Sequence, residues 1–92
     1  VGKYGTTGAT IDGTTYNKGL KMESSTLVSF SIEISRTLTL HMTAGKIVEV
    51  DGVAYTADSN GVITLQLAAG LHTIAKGKKG TTSTLLYALF LQ

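Results

Sequence analysis

The sequence contains no cysteine, so disulfides and thiolate metal sites play no part in holding it together. With no evident metal-ligand cluster either, the 42% of residues that are hydrophobic must carry the fold alone. No run of ~20 apolar residues occurs, and no membrane partner is expected. The stretch from Val1 reads as domain sequence and not as a basic and apolar signal segment, and the chain is expected to be a module cut from something longer. Charge of either sign is sparse: eight Lys and Arg against six Asp and Glu give a formal net charge of +2, too mild to point to nucleic acid. A 3.6-residue apolar period sustained over three turns is also missing, which excludes amphipathic helices as the framework.

What is present is alternation with a period of two. Ser25 to Ser35 sets Val28, Phe30, Ile32 and Ile34 on one face and Leu27, Ser29, Ser31 and Glu33 on the other. Leu38, Leu40 and Met42 continue the inward set while Thr37, Thr39 and His41 oppose it, and Ile63, Leu65 and Leu67 repeat the pattern. Asp12-Gly13, Asp51-Gly52 and Asn60-Gly61 supply positive φ, predicting three tight hairpins. The final run, Leu85 to Leu91, is apolar on both faces and reads as an interior strand. The 92 residues are expected to form one all-β domain of about eight to ten short strands, an antiparallel two-sheet β-sandwich of jelly-roll type.

Few residues offer catalysis. Glu23, Glu33 and Glu49 are the only glutamates, and nothing pairs two of them across a cleft as glycoside hydrolysis requires. His41 and His72 lack a nucleophile and base constellation and read as surface or half-buried histidines. Asp58-Ser59-Asn60-Gly61 opens like a calcium loop but lacks the later ligands, so a plain hairpin turn is the better reading. Tyr87 is expected in the core, with Tyr16 and Tyr55 as amphipathic packing residues. Tryptophan, the broadest aromatic platform, is absent, which leaves charge as the more available handle for a ligand.

The charge is unevenly distributed. Lys3, Lys18 and Lys21 lie in the first quarter and Lys76, Lys78 and Lys79 near the end, with Glu33, Glu49, Asp51 and Asp58 between them. A fold that joins the two ends makes a basic patch. In a regular strand Lys18 and Lys21 would point to opposite faces, whereas a bulge at Gly19 would turn both ammonium groups to one side. The competing reading makes both lysines solubilising edge residues that discourage strand pairing.

The run Tyr16-Asn17-Lys18-Gly19-Leu20-Lys21-Met22-Glu23-Ser24-Ser25-Thr26, with Lys46-Ile47-Val48-Glu49-Val50-Asp51-Gly52 and Ala69-Gly70-Leu71-His72-Thr73-Ile74-Ala75-Lys76, resembles the noncatalytic modules attached to bacterial pectate lyases. In particular it resembles carbohydrate-binding module family 77, and the likeness spans nearly the whole chain. The resemblance implies a β-sandwich that binds homogalacturonan, the anionic backbone of low-ester pectin, through clustered lysines and without calcium or another cofactor. Carried onto this chain, Lys18 or Lys21 and Lys76 are the best equivalents of the basic cluster. Lys3 and Lys46 are candidates for a third position, and Lys78 and Lys79 supplement Lys76. It further implies that residues 1–92 are a single monomeric module from a larger, secreted bacterial enzyme, covalently linked to a catalytic domain and not itself an enzyme. The alternative is a structural or adhesion-type sandwich with no carbohydrate ligand.

Overall fold

A computed structural model describes residues 4–6, 8–11, 13–23, 26–77 and 84–92. They form eleven strands and no helix: β1 (Tyr4–Gly5), β2 (Ala9–Ile11), β3 (Thr14–Tyr16), β4 (Gly19–Lys21), β5 (Leu27–Ile32), β6 (Arg36–Met42), β7 (Ile47–Val50), β8 (Val53–Thr56), β9 (Val62–Leu67), β10 (Gly70–Lys76) and β11 (Leu85–Leu91). One sheet has five strands in the order β1-β4-β11-β6-β9, a second has four in the order β5-β10-β7-β8, and β2 and β3 make a separate ribbon. Every pairing is antiparallel. From β4 onward the chain changes sheet at every connection except β7 to β8, which is the interleaving of a jelly-roll sandwich.

The alternation read from the sequence makes the core. Leu38, Leu40 and Met42 of β6, Val48 of β7 and Ile74 of β10 have no exposed surface, and Met22, Ile32, Val50, Ile63, Leu67 and Leu86 pack with them. Each such side chain contributes about 1.5 to 3 kcal/mol when fully buried. Ile34 departs from the expected inward set and is 59% exposed. β5 ends at Ile32, and the chain bends at Glu33 and Ile34 to cross to the other sheet, which breaks the alternation there.

Two of the three expected hairpins form. Val50 pairs with Val53 across Asp51 (φ 53°) and Gly52 (φ 82°), the two successive positive values of a type I′ turn. Ile11 pairs with Thr14 across a loop that includes Gly13 (φ 80°); Asp12 lies outside the described residues. Asn60-Gly61 is not a hairpin, because β8 and β9, on either side of it, belong to different sheets. Asp58 organises this corner instead: its Oδ1 accepts from the amides of Asn60 at 2.9 Å and Val62 at 3.0 Å, and its carbonyl accepts from Gly61 N at 3.0 Å.

The expected bulge at Gly19 is also displaced. Gly19 is extended within β4 and pairs with Gly5, while the register shift falls across the sheet in β11, between Leu86 and Ala88. A Cβ on Gly19 would lie 2.8 Å from Leu85 Cβ and 3.0 Å from the Tyr87 ring, so glycine here permits close approach of β4 to β11. The extra residue, Tyr87, lets both Leu86 and Leu89 face the core although they are three apart. Tyr87 is half-buried on the outer face of the sheet, not in the core, and its ring stacks on Tyr16 at 5.5 Å and 23°.

Candidate functional site

Strand direction decides where the lysines go. β4 ends at Lys21, opposite Leu85 at the start of β11; β6 ends at Met42 beside Leu86, and the short 43–46 connection leads into β7. Lys46 immediately precedes β7, and Lys76 closes β10 opposite Val48. Lys21, Lys46 and Lys76 therefore share one end of the sandwich. Lys21 follows inward-facing Leu20, which puts it on the outer face of the five-stranded sheet, and it is exposed. Lys76 follows Ile74 by two residues and Lys46 precedes Val48 by two, so both lie on the core-facing side of the second sheet, at its rim, and both are half-buried.

Backbone contacts fix this end. Thr26 Oγ1 donates to Lys21 O at 3.0 Å and accepts from Glu23 N at 3.1 Å, while Thr26 N donates to Glu23 O at 3.0 Å. Lys46 N donates to Thr43 O at 3.3 Å, and Lys46 O accepts from Ala57 N at 2.9 Å. Among the described residues no carboxylate pairs with Lys21, Lys46 or Lys76. Lys18 is exposed just before β4, about 10 Å along the strand from Lys21; with Gly19 extended, the two are not turned to one side. Lys3, Lys78 and Lys79 lie outside the described residues.

A family description, carbohydrate binding module 77, matches residues 2–88. The chain belongs to that family. Members are noncatalytic binding modules, and a carbohydrate-binding role follows for this chain. A solved structure from work on the Ruminococcus flavefaciens cellulosome and its expansion in glycan recognition superimposes with a TM-score of 0.86 at 36% identity, covering 99% of this chain and 76% of that one. Among curated proteins, nothing matches significantly.

The histidines hold contacts that no sequence motif announces. His72, in β10, sits between Asp51 Oδ2, 2.6 Å from its Nδ1, and Ala68 O, 2.6 Å from its Nε2. A carbonyl and a carboxylate can only accept, so both bonds form together when the ring is doubly protonated. The bond to Asp51 raises the His72 pKa above the ordinary value, helped by Ala68 O, and the same bond to His72 lowers that of Asp51. Asp51 Oδ1 also accepts from Thr73 N at 2.9 Å. His41 is buried, and its Nδ1 lies 2.9 Å from the Tyr16 hydroxyl.

Proposed function

We propose that this module binds homogalacturonan, the low-ester form of pectin, through the lysines at one end of the sandwich, and that it does so without calcium. What supports this reading is that Lys21, Lys46 and Lys76 lie at the same end, Lys21 on the outer face of the five-stranded sheet and Lys46 and Lys76 at the rim of the second, none paired with a carboxylate among the described residues. In the same reading Lys3, Lys78 and Lys79, which lie outside the described residues, supplement these contacts, while Lys18 stands about 10 Å along the strand from Lys21. Galacturonate repeats one carboxylate per sugar, so several ammonium groups at one end of a rigid scaffold are its complement. A bridging calcium ion would need several protein carboxylates around it, and the carboxylates described at this end are Glu23 and Asp58, the latter with Oδ1 already bonded to the amides of Asn60 and Val62.

The magnitudes require several contacts at once. An exposed ammonium and carboxylate pair contributes about 0.2 to 1 kcal/mol, while even millimolar affinity needs about 4 kcal/mol. Polymer binding is therefore favoured over short oligomers, because neighbouring sugars engage neighbouring lysines at high effective concentration. In this role the module, secreted from a bacterium, holds a covalently attached pectate lyase near the plant cell wall and performs no chemistry itself.

Calorimetric titration with low-ester and high-ester pectin, each with and without chelator, tests the reading. Tight binding to the low-ester polymer alone, unchanged by chelator, is the expected result. Equal affinity for both polymers would defeat the charge mechanism, and loss on chelation would defeat calcium independence. No binding to any pectin would favour a structural or adhesion domain.

A further inference from the structure

The outer face of the five-stranded sheet carries a second feature, away from the end that bears Lys21, Lys46 and Lys76. A hollow of about 240 Å³ opens there, lined among the described residues by Thr14 of β3, Thr39 and His41 of β6, and Phe90 and Gln92 at the end of β11. Phe90 is 41% exposed, and Thr39 is directly opposite it in the sheet. The His41 ring stands 5.0 Å from the Phe90 ring at 65°, so the two make the walls of an angled notch.

The notch is braced from behind. Tyr16, on the β2–β3 ribbon, reaches His41 Nδ1 with its hydroxyl and stacks its ring on Tyr87. The ribbon is thereby tied to the sheet, and its Thr14 contributes to the rim. With Nδ1 engaged, Nε2 is the ring nitrogen left for a ligand. A single exposed phenylalanine needs no explanation. This one is ringed by two hydroxyls, a primary amide and an imidazole, with no Lys, Arg, Asp or Glu among the described lining residues.

A pyranose has the matching chemistry: a C–H face that lies against an aromatic ring and a rim of hydroxyls that both donate and accept hydrogen bonds. The volume falls below the ~300 to 1,000 Å³ of sites for drug-sized ligands, which suits one sugar ring. An anionic sugar would find no counter-charge among the described residues here. We propose that this notch is a second carbohydrate subsite, selective for a neutral pyranose and separate from the lysine-bearing end. Phe90 lies five residues along β11 from Leu85, the partner of Lys21, a separation on the order of 15 Å. The proposal rests on membership of a carbohydrate-binding family and not on pectin as the ligand.

The test is an amide NMR titration of the 92-residue chain with two neutral tetrasaccharides, 1,4-β-galactotetraose and cellotetraose, beside tetragalacturonate. At least one neutral sugar is expected to give saturable shifts at Thr39, His41 and Phe90, with movement of the His41 Nε2 resonance. Phe90→Ala should abolish them, Thr39→Val should weaken them, and the double variant Lys21→Ala, Lys76→Ala should leave them unchanged. Should Phe90→Ala lose the dispersion of a folded spectrum, Thr39→Val and Gln92→Ala decide. The proposal is overturned by the absence of saturable shifts with both neutral sugars, by shifts that survive removal of Phe90, by shifts confined to the lysine end, or by equal notch binding of tetragalacturonate. Because the lysine variants are silent in this assay, its failure is distinct from failure of the pectin reading.

Discussion

Asp51 and His72 clasp the two turns at one end of the second sheet: the Asp51 carboxylate, in the β7–β8 turn, meets His72 Nδ1 at 2.6 Å, while His72 Nε2 holds Ala68 O in the β9–β10 connection. Asp51 sits at φ 53°, where aspartate is one of the few tolerated side chains. Its two carboxylate oxygens serve β10 twice, at His72 and at Thr73 N.

The clasp makes stability depend on pH in a defined window. Asp51 titrates below its ordinary 3.8, so its contribution is present above that value and lost as pH falls through the lowered one. His72 titrates above its ordinary 6.5, so its contribution is complete below 6.5 and lost as pH rises through the raised value. Urea melts should therefore show a plateau between about 4 and 6.5 with a decline on each side. His72→Gln should flatten the alkaline decline, and Asp51→Asn, which still suits positive φ, should flatten both. A wild-type profile that is level from pH 6 to 9 would remove the clasp from the account of stability.

Glycine substitutions separate backbone conformation from crowding. Gly52 has positive φ and nothing within 4 Å of an added Cβ, so Gly52→Ala should cost only the left-handed penalty, about 1 to 2 kcal/mol. Gly61 has φ 81°, and its Cβ would collide with Met42 O. Gly61→Ala should cost about 3 kcal/mol or more, because overpacking against backbone adds to the same conformational term. Equal denaturation midpoints for the two variants would contradict this.

Gly19→Ala tests the approach of β4 to β11. The new methyl meets Leu85 Cβ, which cannot swing away, whereas at Gly5 it meets the mobile end of the same side chain, Leu85 Cδ2 at 2.7 Å. The expected loss at Gly19 is about 1 to 3 kcal/mol, with less at Gly5. Chemical denaturation of both variants checks the order.

Much of the fold was legible because its rule is local. Leu38, Leu40 and Met42 alternate with Thr37, Thr39 and His41, and β6 buries the first set completely. Asp51-Gly52 specified a turn whose strands pair across it. Asn60-Gly61 has similar turn chemistry, but a dipeptide encodes a reversal and not the sheet into which the next strand goes. The function of Gly19 was hidden for the same reason: its constraint comes from Leu85 and Tyr87, far along the chain. The lysine-bearing end was half visible. Lys21 and Lys76 come from the two ends of the chain as expected, while Lys46 joins them through the register of β7, which no residue near it announces. The clasp of Asp51 with His72, 21 positions apart, follows no motif.

Lys21→Ala, Lys46→Ala and Lys76→Ala should each weaken binding to low-ester pectin by about 0.2 to 1 kcal/mol and leave the urea midpoint nearly unchanged, since none of these ammonium groups pairs with a carboxylate among the described residues. Retardation in pectin-containing gels, with the triple variant slowed least, measures the effect. Unaltered retardation of a folded triple variant would place the ligand elsewhere.

Acid and salt should act on the same interaction. Galacturonate carboxyls lose charge near pH ~4, so affinity should fall through that region. Raising salt from 0.1 M to 1 M shortens the screening length from ~10 Å to ~3 Å and should weaken binding at any pH. Calorimetry from about pH 4 to 6.5 in both salts stays on the stability plateau and follows the fall; affinity indifferent to salt would rule out exposed charge pairs as its source.

The last strand, β11, is also the middle strand of its sheet, with β4 on one side and β6 on the other. Without residues 85–91 the pairs β1-β4 and β6-β9 are left on either side of an empty strand position, and the seam closes only when β11 enters it. Until then Leu38 and Leu40 have no neighbour on that side, and the unpaired edges of β4 and β6 are open to other chains. The five-stranded sheet is therefore completed in one late step, and a chain truncated before residue 85 is predicted to be protease-sensitive in β1, β4, β6 and β9, the strands that β11 joins.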